Sequence, residues 1–266
     1  MTVFEKYIQR KNINPDLCTG EENVQLMEEF FSGTLLDYSA VAYINPKDVP
    51  QLMEAVAAAM LRADSTLSFS QLENAIKECN GNKILKEYYN NTARVAGELT
   101  DVFGLLACEN GRYRMADWNM MGYFGAMAVV NKKWITADDY LSTPHPDYFI
   151  LLWCIRLLAA GYGDGKTIPE IAGYAIENMA DFMEKYPAVI QYFSIEEEMP
   201  VPAEDRSPFG NHIYFLISLL KEYTYFLHPE EEDKVYSMLL KVKNIIPYIA
   251  ETAFPGLELT EDVQND

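Results

Sequence analysis

Apolar positions recur every three or four residues through most of this chain, the period of a helix with one buried face. Between Glu21 and Phe31 the pattern places Val24, Met27, Phe30 and Phe31 on one face. Asp48 followed by Pro50 predicts a helix start with Asp48 as its cap, and the Ala- and Met-rich stretch to Arg62 continues it. Ser68 or Ser70 caps the next helix, which presents Leu72, Ala75 and Ile76 and stops at Asn80-Gly81. Leu85, Tyr88, Thr92, Val95, Leu99, Val102 and Leu106 then follow helical spacing, as one long helix or as two broken at Asn90-Asn91.

In the C-terminal half the same periodicity predicts helices near 116–130, 147–160, 168–185, 211–227 and 230–251. Residues 194–210 interrupt it, with Glu196, Glu197 and Glu198 followed by Pro200, Pro202 and Pro208. A loop of that length inside a helical chain is a candidate binding segment. The tail after Pro255 is expected to fray. The fold class read from this pattern is mainly α, divided into an N-terminal region, 1–118, and a helical bundle, 119–266.

One segment breaks the helical period. Leu105 to Cys108 and Arg112 to Met115 flank Glu109-Asn110-Gly111, and Asn-Gly is the favoured dipeptide for a two-residue hairpin turn. Little strand is expected beyond this hairpin. Alternation puts Arg112 and Arg114 on one face and Tyr113 on the other. From Ser68 to Trp118 the order helix, turn, short helix, helix, hairpin, with Gly104-Leu105-Leu106 before the first strand, resembles a winged helix-turn-helix unit. The resemblance covers about a fifth of the chain and rests on pattern. It implies a third helix whose outward face carries Arg94, Gly97, Glu98 and Asp101. Under a DNA-binding reading the contacts would come from Lys83, Lys86, Asn90, Arg94, Arg112 and Arg114. Two carboxylates on the reading face oppose phosphate, so fold alone does not carry that function.

Charge changes the picture further. The chain of 266 residues has 21 Lys plus Arg against 40 Asp plus Glu, a formal net charge of −19. Residues 1–49 hold 4 basic and 8 acidic side chains, 50–118 hold 7 and 9, and 119–266 hold 10 and 23. The field therefore comes mostly from the C-terminal half, repels nucleic acid and anionic membranes at long range, and attracts a basic surface. Many soluble proteins are acidic without such a partner. Pro229 followed by Glu230 to Asp233 is accounted for by a helix dipole alone. An apolar content of 49% supplies a real core. Cys18, Cys79, Cys108 and Cys154 lack metal-knuckle spacing and read as reduced, mostly buried thiols. The start of the chain lacks the apolar core of a signal peptide, and the run from Tyr148 to Ala160 is too short to span a bilayer. A cytoplasmic protein with no membrane association is expected.

Catalytic patterns are thin. Gly161-Tyr162-Gly163-Asp164-Gly165-Lys166-Thr167 ends like a phosphate loop, but Ala160 stands where its first glycine belongs and a helix precedes it. A glycine helix stop followed by a cap explains it better. His145-Pro146-Asp147 matches the tripeptide of J-domain cochaperones, yet its preceding helix is acidic through Asp138 and Asp139, and a turn before a helix is the simpler reading. His145, His212 and His228 never pair at ligand spacing, so no metal, cofactor or catalytic residue is assigned. Arg156, within an apolar helix, is expected to be buried against Asp181 or Glu177.

The expectation is a non-enzymatic acidic protein that binds a basic protein surface as an inhibitor, immunity or adaptor protein, with Glu196, Glu197, Glu198, Glu204 and Asp205 in the contact. A winged-helix transcription regulator with a C-terminal sensor or dimer bundle is the alternative, and an enzyme with a concealed site the third.

Overall fold

The computed structural model describes residues 2–163 apart from 16–17, 19, 34–41, 64, 80–90, 132–133 and 144–146, together with Tyr174. These residues are mainly helical, with a small antiparallel sheet of three strands. The chain divides into two compact units, Met1–Pro146 with Arg156–Asp164, and Asp147–Ile155 with Gly165–Asp266. Apart from Tyr174, the helices expected near 168–185, 211–227 and 230–251, and the loop 194–210, lie outside the described residues.

Two helices open the first unit, α1 (Val3–Lys11) and α2 (Gly20–Gly33). Thr2 caps α1 in a reciprocal box with Glu5, and Asn12 in the left-handed region ends it. The Thr2 hydroxyl also donates to Asp117, whose other oxygen accepts from the Asn119 N–H at 2.8 Å. One threonine and one aspartate thus cap two helices distant in sequence and tie their starts together. The apolar face of α2 matches the periodicity: Val24, Met27, Phe30 and Phe31 are all buried. Phe30 meets Phe4 edge-on at 5.3 Å and Phe31 at 4.9 Å.

A short 3-10 turn (Pro46–Asp48) leads into α3 (Val49–Arg62). Here the expected cap is corrected. Asp48 makes no side-chain cap bond, and Asn45 instead caps the 3-10 turn by accepting from the Lys47 N–H. The extra turn moves the chain entry three residues upstream of where the proline suggests it. Helix α3 packs along α6 (Trp118–Val130), whose residues from Met120 onward are all buried, as expected of a helix apolar on every side.

Ser68 caps α4 (Phe69–Glu78) in a second reciprocal box, with Gln71. Asn91 caps α5 (Thr92–Gly97), which continues as a π-helical turn, Glu98–Val102. The Thr100 hydroxyl donates back to the Ala96 carbonyl at 2.8 Å, and the Phe103 N–H reaches Glu98 O, five residues back. Gly104, at φ +62, then reverses the chain with Val3 Cγ2 only 2.7 Å from where a β-carbon would sit. Gly104→Ala is expected to destabilise by about 1–3 kcal/mol, from positive φ and the clash together, with urea unfolding as the check.

The hairpin forms β2 (Leu106–Glu109) and β3 (Arg112–Met115), with Asn110 and Gly111 at φ +52 and +74. A strand not expected from the sequence, β1 (Leu67–Ser68), pairs with β3 and gives the order β1-β3-β2. Two residues carry no alternation to read, so only pairing reveals them. After α7 (Ala137–Leu141) comes α8 (Tyr148–Ala159), whose described residues from Ile150 to Ile155 are buried. The end of α8 bears out the glycine stop: Gly161 is at φ +87, and Tyr162 N–H bonds Leu157 O while Gly161 N–H bonds Leu158 O. Asp147 caps the other end by accepting from the Phe149 N–H at 2.8 Å.

Among the described residues no helix is long and apolar enough to cross a membrane.

Candidate functional site

The sequence puts Arg94, Gly97, Glu98 and Asp101 on one outward face, spaced for a helical stripe. The structure corrects this for Glu98, which is 7% exposed. Its two carboxylate oxygens accept from consecutive backbone N–H groups, Tyr43 at 2.7 Å and Ile44 at 2.8 Å. The segment around Tyr43 and Ile44 therefore lies across the α5 face, with Ile44 fully buried. Glu98 acts as an anchor for that segment. Sequence periodicity cannot find this because the covering residues are more than fifty positions away.

Arg94 is exposed but engaged. Its guanidinium stacks over the Tyr43 ring at 4.1 Å, and its Nε lies 3.6 Å from Glu98 Oε1. Arg112 donates from Nε and Nη2 to the Thr66 hydroxyl, at 3.2 and 2.8 Å, and from Nη2 to the Thr66 carbonyl at 3.2 Å. Arg114 pairs with Glu109 Oε1 at 2.9 Å. The register places Ser68, Arg112, Glu109 and Arg114 on one face of the small sheet, and Leu67, Tyr113, Cys108, Leu106 and Met115 on the other. Lys83, Lys86 and Asn90 lie outside the described residues, as do Glu196, Glu197, Glu198, Glu204 and Asp205.

Thr92, at the start of α5, donates to Glu73 Oε1 at 2.9 Å, and Lys77 sits 3.2 Å from the same oxygen. The Thr92 hydroxyl first, and Lys77 after it, hold the Glu73 carboxyl below its ordinary range. This contact ties α4 to α5 and fixes the angle between the two helices that carry the candidate surface.

A second polar cluster forms elsewhere in the first unit. Tyr162 donates to Glu28 and Tyr123 lies beside it, with Glu54 within electrostatic reach of both. Burial, then the bond to Glu28, pushes the Tyr162 phenol up to about 12, and burial raises Tyr123 above its usual value. Both rings stay protonated near neutrality: Tyr162 donates to the Glu28 carboxylate, and Tyr123 is hydrogen-bonded to Tyr162.

Two further expectations are corrected. Arg156 is half-buried rather than buried. Asp181 and Glu177, named as its partners, lie outside the described residues. The thiols divide evenly: Cys79 and Cys154 are buried, Cys18 is half-buried and Cys108 is exposed on the hairpin. Exposure along β2 increases toward the turn, so Cys108 is open although it shares a face with the buried Leu106.

Among the described residues no group of three or more His, Cys, Asp or Glu side chains could hold a metal ion. A shallow, open groove is lined by Glu5, Ile8, Gln9, Asn12 and Ile13 of α1 and its following turn, a rim with no nucleophile or histidine. Comparison of the chain with protein-family models, with curated proteins and with solved structures returned no match.

Proposed function

We propose that this chain is a non-enzymatic acidic binding protein whose partner is a protein with a basic surface, of the inhibitor, immunity or adaptor kind. Residues 68–118 serve in this reading as a winged-helix-like unit used for protein contact or as scaffold. Support for the unit comes from the order α4, α5, hairpin, with β1 completing a three-stranded sheet. The observation that carries the choice of partner is the state of the three described arginines on which DNA binding would depend. Arg94, Arg112 and Arg114 are each already held by their own chain. A phosphate backbone would have to displace Glu98, Thr66 or Glu109, against a net charge of −19. A basic protein meets the opposite situation, in which the same field steers association.

The expected result is salt-dependent association with a basic protein recovered from native lysate. The association rate should fall about tenfold or more between low and high salt while dissociation changes less. A random-sequence duplex should not be retained in a mobility-shift assay at physiological salt. Retention that is lost on Arg112→Ala and Arg114→Ala, with no protein captured, would overturn the reading in favour of a DNA-binding regulator.

A further inference from the structure

Asn110 and Gly111 form the whole loop between β2 and β3, at φ +52 and +74. Both are exposed, as are Glu109 and Arg112 on either side of them. A β-carbon built on Gly111 would meet nothing within 4 Å, so the space around the turn is open. Among the described residues neither the Asn110 side-chain amide nor the Gly111 N–H has a hydrogen-bond partner. Two other exposed asparagines differ in the residue that follows. Asn12 shares the left-handed backbone, at φ +55, but precedes β-branched Ile13, whose N–H is committed to Ile8 O at 3.0 Å. Asn45 precedes Pro46, whose nitrogen carries no hydrogen. Asn80 also precedes a glycine but lies outside the described residues.

We propose that Asn110 is a self-modification site, converted to aspartate and isoaspartate by attack of the Gly111 nitrogen, and that the isoaspartate form unpins the hairpin. The Gly111 nitrogen attacks the side-chain carbonyl carbon of Asn110. The new C–N bond closes a five-membered imide, the Gly111 proton passes to water, and the amide nitrogen leaves as ammonia. Water then opens the imide at one of its two carbonyl carbons. Opening at the side-chain carbonyl gives aspartate. Opening at the main-chain carbonyl gives isoaspartate, with the chain rerouted through the β-carbon. Overall, water is consumed and ammonia released. Ring closure requires Asn110 to leave its left-handed conformation, so the reaction waits on opening of the turn. That opening uncovers no buried side chain, since residues 109–112 are all exposed already, which places it at the low-cost end of local unfolding. Isoaspartate adds a main-chain methylene to a two-residue loop that fixes the strand register, and so breaks the pairing of Glu109 with Arg112.

The test incubates the full native chain in mildly alkaline buffer at physiological temperature. Peptide mapping by mass spectrometry follows, with isoaspartyl methyltransferase labelling to count the rearranged product. Asn110 should convert about tenfold or more faster than Asn12, while Asn45 stays intact. The rate should rise with pH, because the attacking nitrogen must lose its proton. Conversion of Asn110 only in the urea-unfolded chain, or no faster than Asn12 in the native one, would overturn the modification site. Asn110→Asp separates the added charge from the rerouted backbone. Hydrogen exchange at the hairpin amides should rise about fivefold or more in the isoaspartate fraction, and less than about twofold in Asn110→Asp. Equal exchange in the two would overturn the unpinning of the hairpin.

Discussion

Phe30→Ala should destabilise the first unit by about 3–5 kcal/mol, the range for deleting a fully buried ring and leaving a cavity. Phe30 has no exposed surface, and it contacts Phe4 and Tyr7 of α1 and Phe31 of its own helix. Phe4 is itself stacked on Tyr7 at 6.4 Å and meets Phe30 edge-on. The effect should appear as a lower urea midpoint with an unchanged slope. A loss below about 1 kcal/mol would mean that the aromatic cluster is not a packed core.

Glu98→Ala is the second large effect, and its origin is electrostatic rather than volumetric. Two neighbouring backbone N–H groups would lose their common acceptor, and Ile44 beside them is fully buried. Hydrogen bonds to a charged acceptor are worth about 1.5–3 kcal/mol each, and a stranded buried donor adds its desolvation penalty, so a net loss of about 3 kcal/mol is expected. Glu98→Gln should cost less, since one carbonyl oxygen remains, although its amide group would face a second N–H. Hydrogen exchange gives the direct reading: the Tyr43 and Ile44 amides should exchange much faster in Glu98→Ala, with the hairpin amides little changed. Unaltered exchange at these two amides would show that the carboxylate does not hold the segment.

Local chemistry decided much that was legible in the chain. The hairpin turn follows from Asn110-Gly111, since both residues adopt positive φ there. The start of α4 follows from Ser68 and Gln71, and the buried face of α2 from its spacing. The end of α8 follows from Gly161. Each of these depends on residues within a turn or two of one another, so sequence spacing and conformational preference suffice.

Tertiary structure decided the rest. Strand β1 exists because β3 offers it a partner more than forty residues away, and no two-residue stretch announces that alone. Glu98 reads as a surface carboxylate by helical spacing, yet the segment near Tyr43 turns it into a buried anchor. Spacing alone leaves open whether the hairpin arginines grip a phosphate or pair with a neighbouring carboxylate, and Thr66 and Glu109 are what hold them, as Tyr43 holds Arg94. In each case the deciding contact is non-local. A side chain's spacing tells which way it points from its own helix or strand, and what it meets there depends on where the distant chain is packed.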